Sequence, residues 1–363
     1  MTARQSSLKI LNRCFSNRSW STQTINSETL SLTDSDRALA TKISLGVIQN
    51  YMLLDFIIDS YCMNKKLDLC VRNILRVGAY QILFLDKIPV SAAVNESVNL
   101  AKISGFSSAS GLVNAVLRKI SSNPCPIVED LSIKYSHPKW LVDRLCTEYG
   151  YDFTEAFLKC NNSEPTTDYH IGINGNSYVQ DNASYRAVKM LNPQSGMKVL
   201  DACSAPGGKS FTSAVLMNNS GSIVSCDIHE KKLNLVRDGA INLGIDIIST
   251  RKMDASVFCS EFENYFDMVI ADVPCSGIGV IRKKPDIRFK TEDEIKTLPF
   301  IQNKILNNLI RYLKNDGKLL YSTCTVLKEE NEFITHNYNV IEEKTFWPNV
   351  DGTDGFYAAV IRK

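Results

Sequence analysis

From residue 197 to the C-terminus, short β-rich runs alternate with helical stretches, and this alternation restricts the chain to few folds. Residues 197–202, 222–226, 247–251, 268–271 and 318–322 read as strands, with residues 209–217, 231–243 and 299–313 as helices between them. Such an order predicts a parallel, doubly wound α/β sheet that binds ligands beyond the C-terminal ends of its strands. The N-terminal part has another texture. From residue 8 to about 120, apolar residues recur at helical spacing and strand signals are few, which predicts an all-α domain. Residues 36–58 predict one helix capped by Ser35 or Asp36, residues 67–85 a second, and further helices follow Pro89 and cover 111–120. The turn-rich Ser121-Ser-Asn-Pro-Cys-Pro126 marks the end of this domain, and residues 127–165 read as helical and connecting.

A length of 363 residues suits two domains. The net charge of +2 hides an asymmetry: residues 1–150 hold 17 Lys/Arg against 12 Asp/Glu, so the basic excess is N-terminal. Eleven cysteines are scattered with no CxxC pair, which fits reduced thiols rather than a disulfide framework or a zinc site, and no metal is expected. The first residues lack an apolar signal core and no apolar run approaches the roughly 18 residues of a membrane span. A soluble, cytoplasmic protein with no membrane partner is expected.

The strongest local signal is Val199-Leu-Asp-Ala-Cys-Ser-Ala-Pro-Gly-Gly-Lys209, which packs a strand, a glycine turn and a helix start into one stretch. Gly207 and Gly208 permit close backbone approach, and amides at the helix start favour polar or anionic ligand groups. A bare Gly-Gly is as often a purely structural turn. Here its neighbours add meaning. The next strand ends at Asp227, where an acidic side chain in a nucleotide-binding α/β fold accepts from ribose hydroxyls. Asp254, after the third strand, is placed to meet an adenine amino group.

The fourth strand runs into Asp272-Val-Pro-Cys275, and the fifth into Ser322-Thr-Cys324. Most cysteines are small buried hydrophobes. These two follow strands of one sheet and sit among turn and hydroxyl residues, so both are expected in the ligand crevice. Two thiols and a carboxylate suit one difficult methylation. Carbon 5 of cytosine is too weak a nucleophile to take a methyl group from S-adenosylmethionine until a thiolate adds at carbon 6. An acid at the N3/N4 edge then stabilises the charge, and a base removes the carbon-5 proton so that the thiol can leave. One cysteine attacks, the other helps release, and Asp272 holds the base.

These residues resemble the Nol1/Nop2/Sun family of RNA 5-methylcytosine methyltransferases. Asp201-Ala-Cys-Ser-Ala-Pro-Gly-Gly-Lys209 is similar to its cofactor loop, Asp272-Val-Pro-Cys275 to its Asp-x-Pro-Cys motif, and Ser322-Thr-Cys324 to its Thr-Cys motif. The resemblance implies Cys324 as nucleophile, Cys275 as release residue, and Asp227, Asp254 and Asp272 as cofactor-side carboxylates. It also implies that Cys203, Ser204, Ala205, Pro206, Gly207, Gly208 and Lys209 cradle S-adenosylmethionine. Gly279-Val-Ile-Arg-Lys-Lys-Pro-Asp-Ile-Arg-Phe289, Tyr178-Val-Gln-Asp-Asn-Ala-Ser184 and Asp354-Gly-Phe-Tyr-Ala-Ala358 look like the bacterial Sun/Fmu branch, which acts on small-subunit ribosomal RNA. Asp36-Arg-Ala-Leu-Ala, Arg76-Val-Gly-Ala-Tyr-Gln and Leu112-Val-Asn-Ala-Val-Leu-Arg118 look like a NusB-type RNA-binding domain.

The expected architecture is therefore an all-α NusB-like N-terminal domain (1–126), a connector (127–180), and an α/β Rossmann-like S-adenosylmethionine-dependent methyltransferase domain (181–363). It is expected to act on RNA as a monomer, with phosphate contacts using the basic N-terminal half. Relatives carry a small α/β subdomain before the Gln-Asp segment, of which residues 165–174 look like a remnant. The cations Arg282, Lys283, Lys284 and Arg288, with Lys290, follow Asp-x-Pro-Cys and are expected to hold phosphates beside a flipped base. Two rival readings are a non-catalytic RNA-binding or antitermination-type factor and a transfer-RNA cytosine-5 methyltransferase of the same family.

Overall fold

In the computed structural model the described residues are 1–19, 21–62, 66–123 and 126–363. They form two compact units, one of Met1–Ser163 with Lys283–Thr291 and one of Glu164–Arg282 with Glu292–Lys363. Among the described residues no helix is long and apolar enough to cross a membrane.

The first unit is helical. Ala3–Asn17 starts with a capping box in which Thr2 and Gln5 satisfy each other's backbone amides. Ser21–Glu28, Asp34–Gln49, Tyr51–Cys62, Leu69–Phe84, Val90–Ile103 and Ser110–Ser122 follow. Their apolar stripes close on one core that includes Ile43, Val47, Ile74, Leu75, Val113 and Leu117. The single helix expected over 36–58 is two. Thr33, not Ser35 or Asp36, caps the first, and the chain breaks at Asn50, whose side-chain amide donates back to the Gly46 carbonyl.

The compact helical unit continues past Pro126. Leu131–Tyr135, Lys139–Tyr149 and Tyr151–Asn161 bury Leu131, Leu141, Leu145, Phe157 and Leu158, and they belong to the helical unit rather than to a connector. Of the turn read at 121–126, Pro124 and Cys125 lie outside the described residues.

The second unit opens with a two-stranded ribbon, β1 (Tyr169–Ile171) and β2 (Ser177–Val179), which contains most of the expected remnant. A seven-stranded sheet follows from β3 (Lys198–Asp201), β4 (Ser222–Asp227), β5 (Ile248–Lys252), β6 (Phe266–Asp272), β7 (Leu313–Thr323), β8 (Val340–Phe346) and β9 (Phe356–Arg362). Its order is β5-β4-β3-β6-β7-β9-β8; β3 to β7 are parallel, and β9 and β8 close one edge antiparallel. Since β4 lies on one side of β3 and β6 on the other, the order reverses there, where an open α/β sheet leaves its ligand crevice. Helix Gly208–Leu216 follows β3 and helix Glu230–Asn242 follows β4. The antiparallel pair β8 and β9 is an addition to the five strands read from the sequence.

Candidate active site

At the end of β3 the chain turns through Cys203, Ser204, Ala205, Pro206 and Gly207 into the helix beginning at Gly208. Gly207 sits at φ 118°, and a β-carbon there would lie 2.4 Å from the Phe211 ring, so the turn needs glycine. The Ser204 amide donates to the Cys226 carbonyl at 2.7 Å, which ties the loop to β4.

Asp201 anchors the same loop from below. It is fully buried, accepts from the Ser210 hydroxyl at 2.7 Å, and burial pushes its carboxyl up to about 7. The folded chain thus keeps a proton there that an unfolded carboxylate near 3.8 gives up, so this group's contribution to stability is full at acid pH and is lost as pH rises towards 7. Asp201→Asn should remove this slope and raise stability at pH 8 by about 2–4 kcal/mol relative to wild type. Urea midpoints at pH 5 and pH 8 check it.

Two pockets open at the C-terminal ends of the strands, and Cys203 lines both. The larger, of about 540 Å³, is walled by Asp227, Met253, Asp254, Pro274 and Ile305. Asp227 accepts the His229 amide at 2.8 Å and Asp254 the Ser256 amide at 2.9 Å, which orients both carboxylates. Two carboxylates on an otherwise largely apolar wall beside a glycine turn fit the ribose hydroxyls and adenine of S-adenosylmethionine. Asp227→Ala should weaken binding of this cofactor by roughly 10- to 100-fold, the loss of hydrogen bonds to a charged group, as read by calorimetry.

The second pocket, of about 240 Å³, is lined by Gln180, Asp181, Lys209, Asp272, Cys324 and Asp354, among others. It follows from strand register. Parallel β6 and β7 pair Asp272 with Ser322, so the loops leaving them emerge side by side. The Lys209 ammonium lies 2.7 Å from one Asp272 oxygen and the Ser322 hydroxyl donates to the other at 2.8 Å. Across the two loops, the Cys275 and Cys324 sulfurs stand 3.2 Å apart. Cys324 lines the pocket, and Cys275 is outside its lining. The neighbouring Cys324 thiol and then burial push the Cys275 thiol well up, which keeps it protonated. Burial likewise raises the Cys203 thiol far above its ordinary value.

The basic run divides between buried and solvent-facing side chains. Arg282 is buried and ion-paired to Asp354 at 3.4 Å, so it positions a pocket residue rather than meeting a phosphate. Arg288 is 1% exposed, inside the helical unit, where it donates to the Asn162 side chain and burial lowers it to about 9. A guanidinium covered by protein cannot grip a solvated backbone. Lys283 and Lys290 are half-buried, and Lys284 is exposed.

Sequence reading missed Glu330. Its buried carboxylate accepts the Ser276 amide at 2.8 Å and the Gln302 amide at 2.9 Å, and Gln302 also donates to the Pro274 carbonyl. Together with the bond from the Ser276 hydroxyl to Thr325, these contacts brace the Cys275 loop against the Cys324 loop. Removing the acceptor strands a buried amide, so Glu330→Ala should destabilise the unit by about 2–4 kcal/mol, measured by denaturant unfolding. A Glu in a Lys-Glu-Glu-Asn-Glu run reads as surface charge, and only its partners on the Ser276 loop and the Leu298–Leu309 helix show otherwise.

Known proteins match this arrangement. The family model for 16S rRNA methyltransferase RsmB/F matches residues 188–338, and that for the NusB family matches residues 1–122. A probable ribosomal RNA small subunit methyltransferase B from Bacillus subtilis (strain 168) is 33% identical over 411 residues, covering 92% of each chain. That stretch is longer than 92% of a 363-residue chain, so the relative carries several tens of residues that this chain lacks. The ribosomal RNA small subunit methyltransferase B of Shigella sonnei (strain Ss046) is 30% identical, covering 83% of this chain and 81% of that protein. The crystal structure of PH0851 shares the fold, with a TM-score of 0.77 at 22% identity over 100% of this chain and 99% of that one. A helical NusB region, a mostly parallel sheet with its crevice at the β3–β6 reversal, and 33% identity covering 92% of the chain converge: the chain belongs to the ribosomal RNA small subunit methyltransferase B family.

Proposed function

We propose that this chain methylates carbon 5 of a cytosine in small-subunit ribosomal RNA, with Cys324 as the covalent nucleophile. One observation carries the reading: Cys324 shares a pocket with Asp272 and Lys209, and a second thiol stands 3.2 Å from its sulfur. A binding-only factor has no use for that combination.

S-adenosylmethionine, when bound, supplies an electrophilic methyl group. The Cys324 thiolate forms a bond to carbon 6 of the cytosine, the double bond between carbons 5 and 6 opens, and its electron pair goes to carbon 5, which would receive the methyl group as the methyl's bond to the cofactor's sulfur broke, the electron pair leaving with that sulfur. Asp272, oriented by Lys209 and Ser322, meets the polar N3/N4 edge, where it acts as the acid that passes a proton to N3 as negative charge enters the ring. A base then takes the carbon-5 proton, the double bond re-forms, and the bond from sulfur to carbon 6 breaks. Cys275 assists this release from beside the leaving sulfur.

The helical unit binds RNA in this reading, consistent with the N-terminal basic excess, and the enzyme works in the cytoplasm as a monomer. Cys203 to Lys209 form the cofactor loop, and Asp227 and Asp254 hold ribose and adenine. Of the basic run, Lys284 remains as an exposed phosphate contact. Bisulfite sequencing of ribosomal RNA from cells with and without the gene tests the proposal: one small-subunit cytosine should lose its protection when the gene is absent. An unchanged pattern there, with a lost site in transfer RNA, reassigns the substrate.

A further inference from the structure

The ribbon of β1 and β2 is polarised the wrong way round for a surface element. Its packed face carries Tyr178, which is buried, bonds the Thr212 hydroxyl at 2.9 Å and meets Phe211 edge-on, and His170, stacked on Tyr185 with ring centroids 4.0 Å apart. Its other face carries Tyr169, Ile171 and Val179, which are 66%, 60% and 62% exposed. Register puts Tyr169 directly opposite Val179, so an aromatic and an aliphatic side chain form one apolar surface. An antiparallel ribbon with one packed face ordinarily turns polar residues to water. Here only Ser177 does so.

The position of this face selects its occupant. Val179 is at once part of the exposed surface and part of the lining of the pocket that holds Cys324, and Gln180 and Asp181 continue the chain into that pocket. A cytosine entering the pocket leaves its stack, and the nucleotide next to it loses a stacking partner. The apolar surface continuous with the lip of the pocket is the Tyr169–Val179 pair. Aromatic side chains on sheet surfaces stack unpaired bases without needing a particular sequence.

We infer that this face is a stacking platform for the unpaired nucleotide flanking the target cytosine, with Tyr169 as its aromatic element. The inference rests on the proposed methylation of RNA and deepens it by naming where the neighbouring nucleotide lies. It also gives the short ribbon that opens the second unit a function in holding substrate.

The test is steady-state kinetics of the full chain on transcribed Bacillus subtilis small-subunit ribosomal RNA, comparing wild type with Tyr169→Ala and Tyr169→Phe. Loss of one base–aromatic stack should raise KM for RNA by roughly 5- to 100-fold in Tyr169→Ala, with kcat and S-adenosylmethionine affinity unchanged. Tyr169→Phe, which keeps the ring, should restore the wild-type KM. The side chain is exposed, so neither change disturbs the core. If wild type methylates the RNA and Tyr169→Ala has the wild-type KM, the platform is overturned while the proposed function stands. Should Tyr169→Ala alter only self-association in sedimentation, the face is an interface between copies, and the inference is likewise overturned. A wild-type chain that transfers no methyl group to RNA overturns both.

Discussion

Cys324→Ala is expected to reduce methyl transfer to RNA by on the order of 10⁴-fold or more, while cofactor binding and folding stay as in wild type. The size follows from the chemistry. Without a sulfur bond at carbon 6, carbon 5 of cytosine has too little electron density to attack a sulfonium methyl, and no positioning effect replaces that bond. The fold should tolerate the change because the loop is held by its backbone. The Gly279 amide donates to the Cys324 carbonyl at 2.9 Å, and Gly279 packs so closely on Gly355 that a β-carbon there would lie 1.8 Å from the Gly355 oxygen. Incorporation of labelled methyl into small-subunit ribosomal RNA, with calorimetry of S-adenosylmethionine as control, measures both halves. A rate near wild type would remove Cys324 from the role of nucleophile.

Cys275→Ala is expected to have the opposite signature: bond formation persists and release stalls. A protein–RNA adduct that survives denaturing electrophoresis should accumulate when RNA and S-adenosylmethionine are both present, and multiple turnover should nearly cease. The geometry underlies this. Cys275 is the side chain 3.2 Å from the sulfur that must leave, and its thiol is held protonated by that neighbour and by burial. The double change of Cys275 and Cys324 to Ala should show no adduct, which ties the trapped species to Cys324. Free turnover by Cys275→Ala without adduct would falsify the release role.

Much of the methyltransferase unit was legible because its signals are local. Strand, glycine turn and helix start lie within residues 199–209, and the carboxylates Asp227 and Asp272 are the last residues of β4 and β6. The parallel strands were read to within a few residues, whereas β8 and β9 were not, since an antiparallel edge needs no crossover helix to announce it. The break at Asn50 carries no local signal for a related reason. Apolar spacing continues across it, and only the packing of the two helices decides where the chain bends.

Charge was the least legible property. Arg282, Arg288 and Glu330 all stand in hydrophilic runs that composition assigns to solvent, yet all three are buried and bonded. Whether a charged side chain is covered depends on segments far away in sequence, here Asp354, Asn162 and Gln302.

By itself the sequence determined a helical unit followed by an α/β sheet, a cofactor loop after β3, and two cysteine motifs on successive strand ends. Periodicity and turn chemistry act over a few residues, and a reader of the chain sees them directly. Only the tertiary structure decided that Cys275 and Cys324, 49 residues apart, meet at 3.2 Å, that Cys324 and not Cys275 lines the pocket, and that two of the four proposed phosphate-binding cations are buried. The physical reason is register and burial: which residues face each other is set by the pairing of β6 with β7, and which charges meet water is set by what the rest of the chain lays over them.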